Sequence, residues 1–127
     1  MNTKFKIALA MVAGAVFGAA AVHGLHAQAK PKAYSVTEIE VLDDAAEAAY
    51  ARQIVAEVAF AGGRPINNAG GKIVALIGEA PKRVAITEWN TLDALQKFYA
   101  SSDWKRLAPQ RDKAQKIIRQ YAVENPQ

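Results

Sequence analysis

Along residues 33–41 (AYSVTEIEV) apolar and polar side chains alternate, several of them β-branched, and the pattern predicts a strand. Ser35, Thr37, Ile39 and Val41 share one face; Tyr34, Val36, Glu38 and Glu40 share the other. Neither row is wholly polar, as expected of a sheet covered on both sides. The period then changes. Asp43 or Asp44 opens a helix that runs to about Ala61. Asp44 and Glu47 have capping-box spacing, and Tyr50, Ile54 and Val58 recur at i, i+4 and i+8 as a buried stripe. Arg64 to Asn67 starts a second strand, in which Pro65 allows only a start, an edge or a bulge. Residues 72–77 (KIVALI) read as a short apolar strand and 83–90 (RVAITEWN) as another. Thr91 caps a helix carrying Leu92, Leu95, Phe98 and Tyr99. Ser101 or Ser102 caps a further helical piece beginning at Asp103 and Trp104, which Pro109 kinks or interrupts. Residues 117–123 (IIRQYAV) form the last strand, and 124–127 a tail.

The segment 60–71 (FAGGRPINNAGG) carries two Gly-Gly pairs around Asn67-Asn68 and raises the question of a phosphate loop. A phosphate loop follows a strand and opens a helix, so that backbone N–H groups face the anion. Here the glycines follow a helix and lead into a strand, and no Gly-Lys-Ser/Thr is present. The segment therefore reads as a helix C-cap at Gly62-Gly63 and a turn at Asn68–Gly71. The order becomes β-α-β-β-α-β with a split second crossover. That is an α+β, ferredoxin-like arrangement: an antiparallel sheet with helices on one face.

Composition changes the picture chiefly at the start of the chain. Of 127 residues 51% are hydrophobic, but the excess sits in the uncharged stretch 7–25, behind the basic opening of Lys4 and Lys6 and ahead of Ala27-Gln28-Ala29. A basic lead, an apolar run and an Ala-x-Ala site describe a secretory signal, residues 1–29, cut after Ala29. A retained anchor is the alternative, although Ala and Gly make the run a weak membrane span. Residues 30–32 then form a linker and 33–123 the folded domain. The export reading puts the protein in the periplasm or outside the cell, with no membrane association after cleavage. Lys4 and Lys6 lie in the signal and none of the 12 acids does, so the formal +4 overstates the domain's basicity and nucleic acid is not indicated as a partner. The chain has no cysteine, and both histidines, His23 and His26, lie in the signal. A disulfide, a thiolate nucleophile, a Ser-His dyad and a His- or Cys-based metal site all drop out of the domain. No cofactor and no metal is implied.

The remaining candidates are few. Glu38 and Glu88 lie on strands expected to be adjacent, where close carboxylates could supply a general base. Each could equally be paired with an arginine such as Arg64, Arg83 or Arg119. Asn67, Asn68 and Trp89 could line a polar-aromatic pocket, or serve as turn asparagines and a core or interface tryptophan. Tyr99 and Trp104 are expected to pack the split helix. The basic run Lys105, Arg106, Arg111, Lys113, Lys116 and Arg119 reads as a solvated face, in which Arg111 could clamp a carboxylate or tie the helix to the sheet.

Several of these residues occur in an order that resembles a known family. They are a tyrosine-bearing first strand, an acidic cap with Tyr50, Gly62-Gly63-Arg64, Gly70-Gly71, the Glu88 strand, Phe98-Tyr99 with Ser101-Ser102-Asp103-Trp104, and Arg111. Together they resemble the family known as domain of unknown function 1330, of the dimeric α/β-barrel superfamily, from Ala33 to about Val123. The resemblance implies a homodimer in which two sheets pack face to face, with a pocket between sheet and helices in each subunit. Relatives in that superfamily include cofactor-free monooxygenases, lyases and haem-degrading enzymes. The expectation for this chain is an exported homodimer that binds a small organic molecule. A cofactor-independent enzyme acting on an organic acid or aromatic substrate, or a structural dimer without ligand, are the alternatives.

Overall fold

The computed structural model describes residues 30–67 and 70–126; the proposed signal, Asn68, Ala69 and Gln127 lie outside them. Strand β1 (Lys32–Val41) leads to helix α1 (Asp44–Phe60), then β2 (Arg64–Asn67) and β3 (Arg83–Trp89). Three short helices follow, α2 (Leu92–Ala100), α3 (Ser102–Arg106) and α4 (Ala108–Ala114), and β4 (Gln115–Asn125) closes the domain. The four strands form one sheet in the order β2-β3-β1-β4, and every neighbouring pair is antiparallel. The ferredoxin-like expectation is met in both order and direction.

Local chemistry explains the boundaries. Asp43 caps α1, its carboxylate accepting from the Ala46 amide at 2.7 Å. The predicted Asp44–Glu47 box is therefore shifted by one residue, and Glu47 is released for another role. At the far end the Gly63 amide donates to Val58 O (2.8 Å) and the Gly62 amide to Ala59 O (3.1 Å), a Schellman motif. The two glycines serve different needs. Gly62 sits at φ 91°, in the left-handed region. A Cβ on Gly63 would stand 2.7 Å from Val58 Cγ1 and 2.9 Å from the Trp89 ring. Thr91 and Ser101 cap α2 and α3 through the Ala94 and Trp104 amides. Pro109 falls in the first turn of α4, where its missing N–H costs nothing.

One predicted strand is absent. Residues 72–77 adopt no regular structure, with Val74, Leu76 and Ile77 exposed. The slot beside β3 is already taken by Arg64–Asn67, so the apolar run has no strand to pair with and remains in the β2–β3 connection.

The sheet has two unlike faces. Ala33, Ser35, Thr37 and Ile39 of β1 are buried on the helix side. Trp89, Phe98, Leu95, Val58 and Ala33 form the main core there, and Tyr50, Leu107 and Ala114 a second cluster. Burying Trp89 completely stabilises the fold by on the order of 4–6 kcal/mol relative to exposure. On the other face Tyr34, Val36 and Glu38 align with Glu88, Ile86 and Val84 of β3 and with Val123, Tyr121 and Arg119 of β4. Tyr121 and Val123 remain about half exposed there, as does Ile66 of β2.

Candidate functional site

Between α1 and the helix side of the sheet lies a cavity of about 110 Å³. It exists because small side chains oppose one another. Thr37 and Ala85 are cross-strand partners on the sheet, and Ala51 of α1 also lines the space. Ile39, Ile54, Val55 and Val58 make most of the wall apolar, and Tyr99 and Trp104 add aromatic surface. Polar groups enter from Glu47, Asn67, Gln115, Gln120 and Thr37. The Gln120 amide donates to Thr37 Oγ1 at 3.0 Å, which fixes both.

Glu47 is the most unusual of them. It is a carboxyl only 8% exposed, in the first turn of α1. With the Gln115 amide oriented to suit both groups, its nitrogen donates to Glu47 Oε2 (3.0 Å) and Oε1 (3.2 Å). Burial raises the Glu47 pKa above the ordinary 4.5, opposed by the positive charge of Arg83. Such a group can hold or accept a proton near a bound ligand.

Tyr50, one turn along α1, is also buried and lines the same cavity. Burial pushes its phenol up to about 12, against the lowering effect of the Arg111 guanidinium through charge and hydrogen bond. It therefore stays a neutral hydroxyl at physiological pH. Arg111 stacks on Trp104, its Cζ 4.3 Å from the ring centroid, and its Nε lies 3.5 Å from Asp112 Oδ1. Its Nη1 is buried without a hydrogen-bond partner. Arg111 thus packs behind two lining residues, Tyr50 and Trp104, and is not itself among the residues that line the cavity.

The other residues expected from sequence are spread over the domain. Glu38 and Glu88 both lie on the open face of the sheet. Glu88 Oε1 is paired with Arg64 (2.8 Å) and Lys32 (3.0 Å), and Tyr34 donates to Oε2 at 3.2 Å. The Lys32 hydrogen bond, with Arg64 and Tyr34, lowers its pKa despite some desolvation. Glu38 accepts from Arg119 Nε at 2.9 Å, with Nη2 at 2.8 Å. These are the ion-paired alternatives weighed above. Trp89 is wholly buried in the core and donates to Ser35 Oγ, which also accepts from Tyr99. Asn67 lines the cavity, and its Oδ1 is buried with no hydrogen-bond partner. Asn68 lies outside the described residues.

Sequence reasoning overlooked Glu47, Tyr50, Gln115 and Gln120 as site residues. A signal for Glu47 was present. It precedes Tyr50 by three residues and Ile54 by seven, so the buried stripe of α1 extends back onto it. The capping-box spacing gave that glutamate another explanation. Gln115 and Gln120 carry no such signal: Gln115 precedes the apolar run of β4, and Gln120 turns inward through its register with Thr37.

Among the described residues no group of three or more His, Cys, Asp or Glu comes together, and no helix is long and apolar enough to cross a membrane. The described residues form an α+β, ferredoxin-like fold with a pocket between sheet and helices. The model of the family described as Domain of unknown function (DUF1330) matches residues 32–125, and the chain belongs to that family. No curated protein matches it. Similar solved structures include RPA0582, a protein of unknown function from Rhodopseudomonas palustris. In its methylated form it is 16% identical, with a TM-score of 0.59 over 77% of this chain and 83% of that one. SnoaB, a cofactor-independent oxygenase from Streptomyces nogalater, is 14% identical, with a TM-score of 0.50 over 76% of this chain and 95% of that one. At these identities the likeness concerns the fold.

Proposed function

We propose that the protein is an exported homodimer that binds a small organic molecule in the cavity between α1 and the sheet. The observation that carries this reading is the cavity's lining: apolar and aromatic walls with a few converging polar groups, one of them a buried carboxyl. Dimerisation through the open sheet face is supported by the half-exposed Ile66, Tyr121 and Val123 there, and by the resemblance to the dimeric α/β-barrel superfamily. Export rests on the signal-like opening at residues 1–29. The test is native mass spectrometry of the protein isolated from the cells that make it, outside the cytoplasm. A dimer mass with a reproducible small-molecule increment is expected. A monomer, or a chain beginning at Met1, removes the corresponding part of the reading.

A second reading is a cofactor-independent enzyme of the oxygenase or lyase kind. It is favoured by the raised pKa of Glu47 inside the cavity and by the fold shared with SnoaB. Glu47 is then the general base, in place of Glu38 or Glu88, whose carboxylates are engaged on the other face. Oxygen uptake with added hydroxyarenes should be lost in Glu47→Gln and kept in Glu88→Gln. Uptake that survives Glu47→Gln takes Glu47 out of the chemistry. No ligand and no turnover leaves a structural dimer.

A further inference from the structure

We infer that the cavity selects ring-sized molecules offering a neutral hydrogen-bond donor, of the phenol or carboxamide class, over carboxylates of the same size; this rests on reading the cavity as a binding site. Three observations lead there. The first is a missing charge. Among the described residues that line the cavity there is no Lys, Arg or His. Two cations act on lining residues from outside the lining: Arg111, stacked on the Trp104 ring, and Arg83, whose charge reaches Glu47. An anionic ligand would shed its hydration among apolar walls and beside the Glu47 carboxyl, with no cation in the lining to contact it.

The second observation is an unpaired acceptor. Asn67 Oδ1 is buried in the lining and receives no hydrogen bond. A buried acceptor left unpaired is a deficit that a donor on a ligand removes and that a second acceptor worsens. The Glu47 carboxylate is a further acceptor, already engaged by Gln115. Three lining side chains already donate elsewhere: Gln115 to Glu47, Gln120 to Thr37, and the Tyr99 hydroxyl to Ser35. The third observation is size. At about 110 Å³ the space is smaller than the apolar cavity of roughly 150 Å³ that accepts benzene. A single ring is the size the space suits, with a small substituent reaching toward the opening.

Two matched pairs test this on the full protein by ligand-observed NMR and calorimetry: phenol against toluene, and benzamide against benzoate. The donor-bearing member of each pair should bind about tenfold more tightly, the worth of one net hydrogen bond. In Asn67→Leu the affinity for phenol should fall to that for toluene. Toluene equal to phenol, or benzoate at least equal to benzamide, overturns the selectivity and leaves the cavity standing as a binding site. If none of the four binds, the binding-site reading falls with it. The wild-type comparison decides these outcomes even if the variant fails to fold.

Discussion

Glu47 and Glu88 are the same side chain on opposite sides of one sheet, and their surroundings drive them in opposite directions. Glu47 lies on the helix side, 8% exposed, held by a neutral amide, and burial raises its pKa. Glu88 lies on the open side between Lys32 and Arg64, which lower it. The difference teaches where a proton can be handled in this fold. A carboxylate locked between two cations is a poor base, whereas a desolvated one facing a cavity is a better one. The same contrast divides the apolar side chains. On the helix side they surround a cavity, and on the open side they form a half-exposed patch suited to a second copy of the chain.

The sharpest way to break the comparison is through packing. Trp89→Ala should cost about 3–5 kcal/mol in urea unfolding, independent of protein concentration, because it empties the core of the helix side. Tyr121→Glu on the open face should cost less in the protomer and act mainly on assembly, so its loss of stability should depend on concentration. Equal, concentration-independent losses would dissolve the distinction between the faces. Next in size is Gly63→Ala, where the new methyl meets Val58 and Trp89; about 1–3 kcal/mol is expected by the same unfolding measurement.

The smallest effects are those of pH, and they have opposite signs. The pKa of Glu88 is lowered on folding, so its ionisation stabilises the fold above the unfolded value near 4.5, and that contribution is lost as pH falls through the folded value. The pKa of Glu47 is raised, so the folded chain holds its proton more tightly, and stability falls as pH rises from near 4.5 through the folded value. In unfolding curves taken across pH 3 to 7, Glu88→Gln should remove a rise in stability at the acid end. Glu47→Gln should remove a fall above it. Parallel changes in the two variants would contradict the assignment of cause.

Much of the fold was legible in the sequence because it rests on local signals. The alternation in β1, the stripe of α1, the glycine C-cap and the two hydroxyl caps each lie within a few residues of what they specify. The strand expected at 72–77 failed because pairing is not local: its apolar pattern is genuine, but β2 occupies the place it would take. The site was harder to read for the same reason. Asn67 could be picked out as a polar residue near glycines. Its partners Glu47, Gln115 and Gln120 come from elements far apart in the chain and meet only once the helices cover the sheet. Glu38 and Glu88 were legible as a pair of acids, but their side of the sheet is decided by the strand register.

The most direct test of the central claim, that one face of the sheet binds a ligand and the other a second protomer, is native mass spectrometry of the wild-type protein beside Ala51→Phe. The added ring projects from α1 into the cavity lining and away from the open face. The account predicts that the variant keeps the dimer mass and loses the small-molecule increment seen in the wild type. A variant that keeps the increment, or loses the dimer together with it, would contradict the claim.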